Sequence, residues 1–385
     1  MKKILSALIV LSLLVMVGCS KKEEEAAKPA EKPAAAAVEP IKIGVAGPQS
    51  GDLASYGIPT ARAAELYAKK INEAGGLLGR QIEIDVTDDV CKPEIAVNSA
   101  NKLVADKVVF VLGHICSGAT KPALGIYKEA GIPAMSPSAT NPALTKSGDY
   151  PNFFRTIAPD DAQAKLAVDF TIGTLKAKKI AVIHDKGDYG KGFAEYAKTF
   201  IEEGKEAEVT LFEGVTPGAV DYTAIVQKIN QSGAQAVIFG GYHPEASKII
   251  TAMKKKKVDA FFVSDDGVKD DTFIKVAGEF AEGGYATGPK DNSANPLFQQ
   301  ASADYEAAYN EKPGAFFTEA YSAMIAMTEA MKAAGSTDYD KVTAALRENL
   351  VDTPIGKIKF DEKGDAIGAG FSVYQVQNGK YVEVQ

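Results

Sequence analysis

The sequence is poor in the residues that carry catalysis and hold metals. It has three histidines, His114, His184 and His243, scattered along 385 residues, and three cysteines, Cys19, Cys91 and Cys116. No H-x-x-x-H or C-x-x-C spacing occurs, which removes the common zinc arrangements, and no metal or other cofactor is expected. No G-x-S-x-G turn presents a serine nucleophile. The glycines of GDYGKG match neither G-x-G-x-x-G nor the G-x-x-x-x-G-K-[ST] phosphate loop, and they read as a glycine-assisted helix entry. Basic residues are outnumbered, 43 Lys and Arg against 50 Asp and Glu, and form no stripe, so nucleic acid is not an expected partner. Beyond the first residues, no apolar run is long enough to span a bilayer.

What is present begins at the N-terminus. MKK supplies positive charge, ILSALIVLSLLVMV an apolar run, and Gly18-Cys19 follows. Residues 1–19 therefore read as a secretory signal, too short for a membrane span. Cys19 resembles a bacterial lipoprotein processing site, where the thiol receives lipid, although Met16 stands where such boxes usually carry Leu. A signal without lipid is the alternative. Residues 20–40 hold charge, Ala and Pro with Val38 as the one large hydrophobe, so they are expected to be a disordered tether. Export is implied, with membrane contact only through the lipid. If Cys19 is lipidated, Cys91 and Cys116 remain as a pair in an oxidising compartment. A bridge between them would span 25 residues and contribute about 3–4 kcal/mol on chain-entropy grounds.

From Ile41 onward strands and helices alternate. IKIGVAG, QIEIDVTDD, VVFVLG and IPAMS read as strands, separated by helices in TARAAELYAKKINEAGG, PEIAVNSANKLVAD and KPALGIYKEAG. FFRTIAPDD reads as a crossing, after which the pattern restarts with KIAVIHD, EVTLFEG, AQAVIFGG and AFFVSDD. A helical stretch over residues 294–350 and short strands (GKIKF, GFSVYQVQNGKYVEVQ) close the chain. Two α/β lobes with parallel, doubly wound sheets follow from this alternation. Ligands of such sheets sit outside the carboxyl ends of strands. The loops there, among them GPQSGDLASYG, GHICSGAT, SPSATNPAL, HDKGDYGKG, GGYHPE and SDDGVKDD, are rich in glycine, hydroxyls and aromatics and poor in catalytic groups.

GHICSG is the one stretch with an enzyme-like look. His114 and Cys116 are two residues apart and could share a strand face, yet Cys116 has a candidate disulfide partner and no third group orients the pair. A binding role fits better. Ser117 with Gly118-Ala119-Thr120 opens a helix whose unpaired N–H groups suit a carboxylate, assisted by the hydroxyls of Ser117 and Thr140. The plain alternative is that both hydroxyls only cap helices.

GHICSGATKPA, HDKGDYGKG, GGYHPE and FDEKGD, in this order, resemble the leucine/isoleucine/valine-binding family of branched-chain amino-acid ABC transporters, over a region running from Ile41 almost to Gln385. The resemblance implies a type I periplasmic-binding-protein fold, two lobes joined by a three-segment hinge. The lobes are expected at residues 41–157 with 287–362, and 158–286 with 363–385. It further implies that Ser117 holds a ligand carboxylate beside Ile115 and Cys116. Thr140 would bond both ends of an amino acid, next to Ala139, with the Ser138 carbonyl on the ammonium. Tyr56 and Phe316 would form the side-chain pocket, and Tyr189 and Tyr242 would close over it. The Cys91–Cys116 bridge has a family counterpart. Asp266 stands where the family often has Glu, one methylene longer, which leaves the preferred ligand open. The expected protein is a monomeric, non-catalytic receptor that captures Leu, Ile or Val and delivers it to permease subunits. A receptor for another small amino acid, amide or carboxylate is the alternative, and a sensory role is a further one.

Overall fold

In a computed structural model the chain is described over residues 39–385. The expected signal, Cys19 and nearly all of the tether lie outside these residues. The first lobe alternates β1 (Ile41–Gly47), α1 (Ala54–Glu73), β2 (Ile82–Asp88), α2 (Pro93–Ala105), β3 (Phe110–Gly113), α3 (Ser117–Glu129), β4 (Ala134–Ser136), α4 (Ala143–Lys146) and β5 (Phe153–Arg155). The second continues with α5 (Asp160–Asp169), β6 (Lys179–His184), α6 (Asp188–Gly204), β7 (Glu208–Gly214), α7 (Thr223–Gln231), β8 (Ala236–Gly240), α8 (His243–Lys255), β9 (Phe261–Ser264), α9 (Asp271–Ala277) and β10 (Tyr285–Pro289). The chain then returns through α10 (Pro296–Tyr309), α11 (Phe317–Ala334), α12 (Tyr339–Glu348) and the short strands β11 (Val351–Thr353), β12 (Gly356–Phe360) and β13 (Ala366–Ile367). It ends in β14 (Phe371–Gln377) and β15 (Lys380–Glu383), which pair antiparallel at one edge of the second sheet.

The first sheet is parallel with order β2-β1-β3-β4-β5, and the second runs β15-β14-β10-β9-β8-β6-β7. Their central parallel strands are apolar on both faces because helices cover both sides, whereas the edge strands β2 and β7 carry charged, partly exposed residues. In β6, for example, Ala181 and Ile183 join the core under α7 and α8, while Ile180 and Val182 pack with Phe193, Ala194 and Ala197 of α6. In the first lobe, Ile41, Ile43 and Val45 face Ala63, Ala64 and Tyr67 of α1 and Met324, Met327 and Met331 of α11. Three segments cross between the lobes, residues 156–159, 290–295 and 368–370. A small apolar cluster of Tyr56, Ile115, Ile157, Phe316 and Phe371 sits where the lobes meet.

The structure departs from the sequence reading in three places. FFR is not part of a crossing but the fifth strand of the first sheet, paired parallel with β4. Three residues are too few to show a period, so the signal was invisible. The segment Tyr285–Pro289 is a second unanticipated strand, paired with β9 and β14. Helix α1 begins at Ala54, ahead of Pro59, so Tyr56 lies on its first turn and not in a loop.

Candidate functional site

Each sheet has one point where its strand order reverses, between β1 and β3 in the first and between β6 and β8 in the second. Loops leaving such neighbours diverge and open a crevice at the carboxyl edge. From the first sheet this places GHICSG after β3, and from the second it places DYGKG after β6 and GGYHPE after β8. Gly190 and Gly240 let the two second-lobe loops touch, since a Cβ on either would overlap the carbonyl oxygen of the other. The two crevices face one another across the crossings.

Between them lies a small cavity of about 10 Å³ lined by Tyr56, Ile115, Ser117, Ser138, Tyr189, Tyr242, Asp266, Gly267 and Phe316. That is room for about one water, so side chains fill the space between the lobes. Tyr56 Oη donates to Gly267 O across the gap at 2.6 Å. Tyr189 Oη donates to Asp266 Oδ1 at 2.5 Å and accepts from Gly267 N at 2.9 Å. Gln163 Nε2 donates to the same Asp266 oxygen at 2.9 Å. Ring centroids lie 5.6 Å apart for Tyr56 and Phe316, and 5.1 Å for Tyr189 and Tyr242. On the first-lobe side, Cys116 O accepts from Ala119 and Thr120, leaving the Ser117 and Gly118 amides as the open donors of α3. Ser117 Oγ accepts from Asn141 N at 3.2 Å, and Ser138 Oγ donates to Ile115 O at 2.9 Å.

Residues 40–380 match the family profile described as Periplasmic binding protein. The Leucine-, isoleucine-, valine-, threonine-, and alanine-binding protein of Pseudomonas aeruginosa is 40% identical over 339 residues, 88% of this chain and 90% of that protein. The Leu/Ile/Val-binding protein of Escherichia coli is 34% identical, over 88% of this chain and 91% of that protein. The chain belongs to the Leu/Ile/Val-binding family of periplasmic binding proteins. A solved member of this family, the branched-chain amino acid transporter substrate-binding protein LivJ of Streptococcus pneumoniae in complex with isoleucine, shares the fold. It superposes with TM-score 0.80 at 29% identity, covering 90% of this chain and 100% of that one. The architecture is thus the type I periplasmic-binding-protein fold.

Tyr56, Ile115, Ser117, Ser138, Tyr189, Tyr242, Asp266 and Phe316, all anticipated from the family motifs, border the cavity. Cys116, Ala139 and Thr140 do not. Cys116 is bonded to Cys91, with their Cα atoms 5.5 Å apart, and packs on Ala96 and Ala119. Ala139 is sealed behind the site, its amide donating to Ser136 Oγ at 2.9 Å. Thr140 is fully buried and its Oγ1 makes no hydrogen bond of ordinary length.

His114 turns away from Cys116. It is buried, 2.6 Å from Asp89 Oδ2 through Nδ1 and 2.9 Å from Tyr127 Oη through Nε2. No nucleophile and base open together into the cavity. Among the described residues no cluster of His, Cys, Asp or Glu is arranged to hold a metal, and no helix is long and apolar enough to cross a membrane.

Sequence reasoning missed the start of α5. Asp160 N donates to Thr140 O at 2.9 Å, and Gln163 reaches Asp266 one turn later. A carboxylate and an amide three residues apart share a helix face, a spacing that could have revealed them had the helix been recognised. The second-lobe wall is acidic and dry. Burial pushes the Asp266 carboxyl up to about 6 against the hydrogen bonds of Tyr189 and Gln163. Burial, then the neighbouring charge of Asp266, raises Asp160 and Asp265 as well. Both Asp160 oxygens, Asp265 Oδ1, Gln163 Oε1 and Thr140 Oγ1 are buried without a hydrogen bond of ordinary length, although the Thr140 hydroxyl lies close enough to Asp160 to lower its carboxyl. Buried polar atoms are normally paired, so this set is an exception to the rule.

A larger groove of about 510 Å³ lies on the hinge side, sharing Asp266 and Phe316 with the cavity. Its walls mix Lys269, Lys290 and Lys312 with Asp291, Glu306, Glu319 and Glu383. The smaller cavity is the stronger candidate despite its size, because Ser117 and Ser138 of the first lobe and Tyr189, Tyr242 and Asp266 of the second converge on it, whereas the groove shares only Asp266 of these.

Proposed function

We propose that this protein is the extracytoplasmic substrate-binding component of an ABC importer and that it captures an aliphatic L-amino acid between its lobes. One observation carries the reading: open helix amides and hydroxyls on one face oppose a buried cluster of carboxyls, Asp266 with Asp160 and Asp265 beside it, on the other. A zwitterion has the matching polarity. Its carboxylate would lie on the Ser117 and Gly118 amides with the Ser117 hydroxyl, favoured by the α3 N-terminus. Its ammonium would take Asp266, the Thr140 hydroxyl and the Ser138 carbonyl, with Asp160 and Gln163 completing the acceptor set. Tyr56, Ile115, Tyr242 and Phe316 would enclose the side chain.

Leucine does not fit a cavity of about 10 Å³. Binding therefore exchanges lobe-to-lobe contacts, such as Tyr56 to Gly267 and Ser55 to His243, for contacts through the ligand. Closure is stabilised by whatever free energy the ligand gains from both faces at once. The bodies that move would be residues 41–155 with 296–367, and 160–289 with 371–385, on either side of the three crossings. These bounds differ from the expected ones at 287–289, hydrogen-bonded in the second sheet, and at 363–367, which pack on β5 and β12 of the first lobe. Captured ligand would pass unchanged to permease subunits, from a monomer exported and held to the membrane by lipid on Cys19. Periplasmic binding proteins named for Leu, Ile and Val among the relatives support this ligand class.

Asp266, shorter than the Glu frequent in the family, favours keeping a second reading, a receptor for another small amino acid, amide or carboxylate. Isothermal titration against the twenty amino acids separates them. Heat with Leu, Ile or Val supports the first; heat only with other ligands supports the second. Release of a chemically altered ligand would overturn both.

A further inference from the structure

The FDEKGD motif lies far from the cavity, yet the fold docks it onto the strand that leads into the first crossing. Gly364 adopts φ +95, and a Cβ there would strike Phe153 O, so the turn sits directly on β5. Arg155 N donates to Gly364 O at 3.0 Å, and Asp365 lies beside Arg155 in a parallel bridge. The Arg155 side chain is fully buried. Its Nε donates to Asp365 Oδ1 at 2.6 Å and its Nη2 to Thr145 Oγ1 at 2.7 Å. Its Nη1 donates to two carbonyls, Ala139 O at 3.1 Å and Asn141 O at 3.0 Å. These are the carbonyls on either side of Thr140.

We infer that Arg155 is the positioning residue for Thr140, and that Asp365 holds Arg155 to that task. This rests on the proposed role of Thr140 in binding the zwitterion. A guanidinium is a planar fork that can serve several acceptors at fixed angles, whereas an ammonium is a point charge on a flexible stem. Arg155 pins the peptide unit before Thr140 through Ala139 O and the one after Asn141 through Asn141 O. The unit between them is held by Asp160 N on Thr140 O and by Asn141 N on Ser117 Oγ. The Thr140 hydroxyl, which makes no hydrogen bond of ordinary length, then stays buried beside the Asp160 carboxyl. The same clamp joins two crossings, since Arg155 ends immediately before residues 156–159 and Asp365 lies three residues before 368–370. Hinge geometry and the placement of Thr140 are thereby linked by one side chain.

The test uses the exported chain with Arg155→Lys, Thr140→Ala and the double variant, plus Asp365→Asn in case Arg155→Lys folds poorly. L-Leucine affinity is measured by titration and amide exchange by mass spectrometry without ligand. Arg155→Lys and Thr140→Ala should each weaken leucine by about tenfold or more, and the double variant by no more than about threefold beyond Thr140→Ala alone. Exchange should accelerate at Asn141 and Asp160, whose amides bond Ser117 Oγ and Thr140 O, and stay unchanged in β1 and β6. Asp365→Asn should reproduce both effects in weaker form. Multiplicative losses in the double variant, or exchange rising equally everywhere, overturn the positioning role. If the unaltered protein ignores leucine, the ligand reading fails by itself, while the local exchange pattern still decides the role of Arg155.

Discussion

On the first-lobe side of the cleft, Ser117, Ser138 and the amides opening α3 are neutral groups anchored to backbone. On the second-lobe side, Asp266, Asp265 and Asp160 are acids crowded together out of water. The difference teaches how a binder divides its work. A carboxylate shared among several weak neutral donors loses little when one is removed. An ammonium that depends on one buried acid loses most of its anchoring with that acid. The second face also carries the pH sensitivity and the cost of desolvation, because only charged groups respond strongly to burial.

The sharpest way to break this comparison is Asp266→Ala. Removing the ionised partner of a buried ammonium costs about 3–5 kcal/mol, or at least a hundredfold in affinity. Titration with leucine checks it, and a loss below tenfold would place the ammonium elsewhere. Next in size is the bond that fastens the neutral face. Cys116 caps α3 immediately before Ser117 and is tied to Cys91. Cys91→Ser should lower stability by roughly 3 kcal/mol on loop-closure grounds, read as a fall in melting temperature. Thiol labelling of the oxidised protein should leave Cys116 unmodified; a labelled Cys116 would show that the first face is not stapled.

The two faces were not equally legible in the sequence. GHICSG and the tyrosine loops were readable because glycine-rich turns after apolar strands announce the carboxyl edge of a parallel sheet. Tyr56, Ser117, Tyr189, Tyr242 and Asp266 followed from family motifs in those turns. Asp160 and Gln163 were not readable, since the ten-residue helix they open follows FFRTIAP without a side-chain cap or a clear apolar stripe to announce it. Arg155 was hidden for a different reason. A charged residue in a three-residue strand looks exposed until Asp365, 210 positions later, arrives to pair with it. Local pattern shows where loops leave a sheet; it does not show which distant side chain will satisfy a buried charge.

A smaller effect sharpens the electrostatic half of the comparison. Burial raises Asp266 to about 6, so at lower pH the empty site holds a proton that an ammonium must displace. Leucine affinity should be flat above pH 7, halve near pH 6, and fall about tenfold by pH 5. The stability of the ligand-free protein should move the opposite way. A carboxyl raised in the folded state binds protons more tightly there than when unfolded. Its favourable contribution is therefore full below the ordinary value near 3.8 and is lost as pH rises through about 6. Asp185, also raised to about 6 by burial, adds to the same trend. Melting and titration across pH 4 to 8 should show opposed slopes from this source, and parallel slopes would remove Asp266 from the binding step.

The smallest expected effect belongs to the neutral face. Ser117→Ala removes one hydroxyl but leaves the helix amides, so leucine should weaken by only about fivefold, near 1 kcal/mol. Gly118→Ala should change nothing, because a Cβ there would meet only Asp188 Cβ, at 3.9 Å, and the amide remains. A loss at Ser117 as large as that at Asp266 would mean that the carboxylate hangs on a single hydroxyl. The two faces would then share one strategy, and the helix N-terminus would be scenery. The predicted inequality arises because backbone donors cannot be deleted by changing a side chain, whereas a buried acid can.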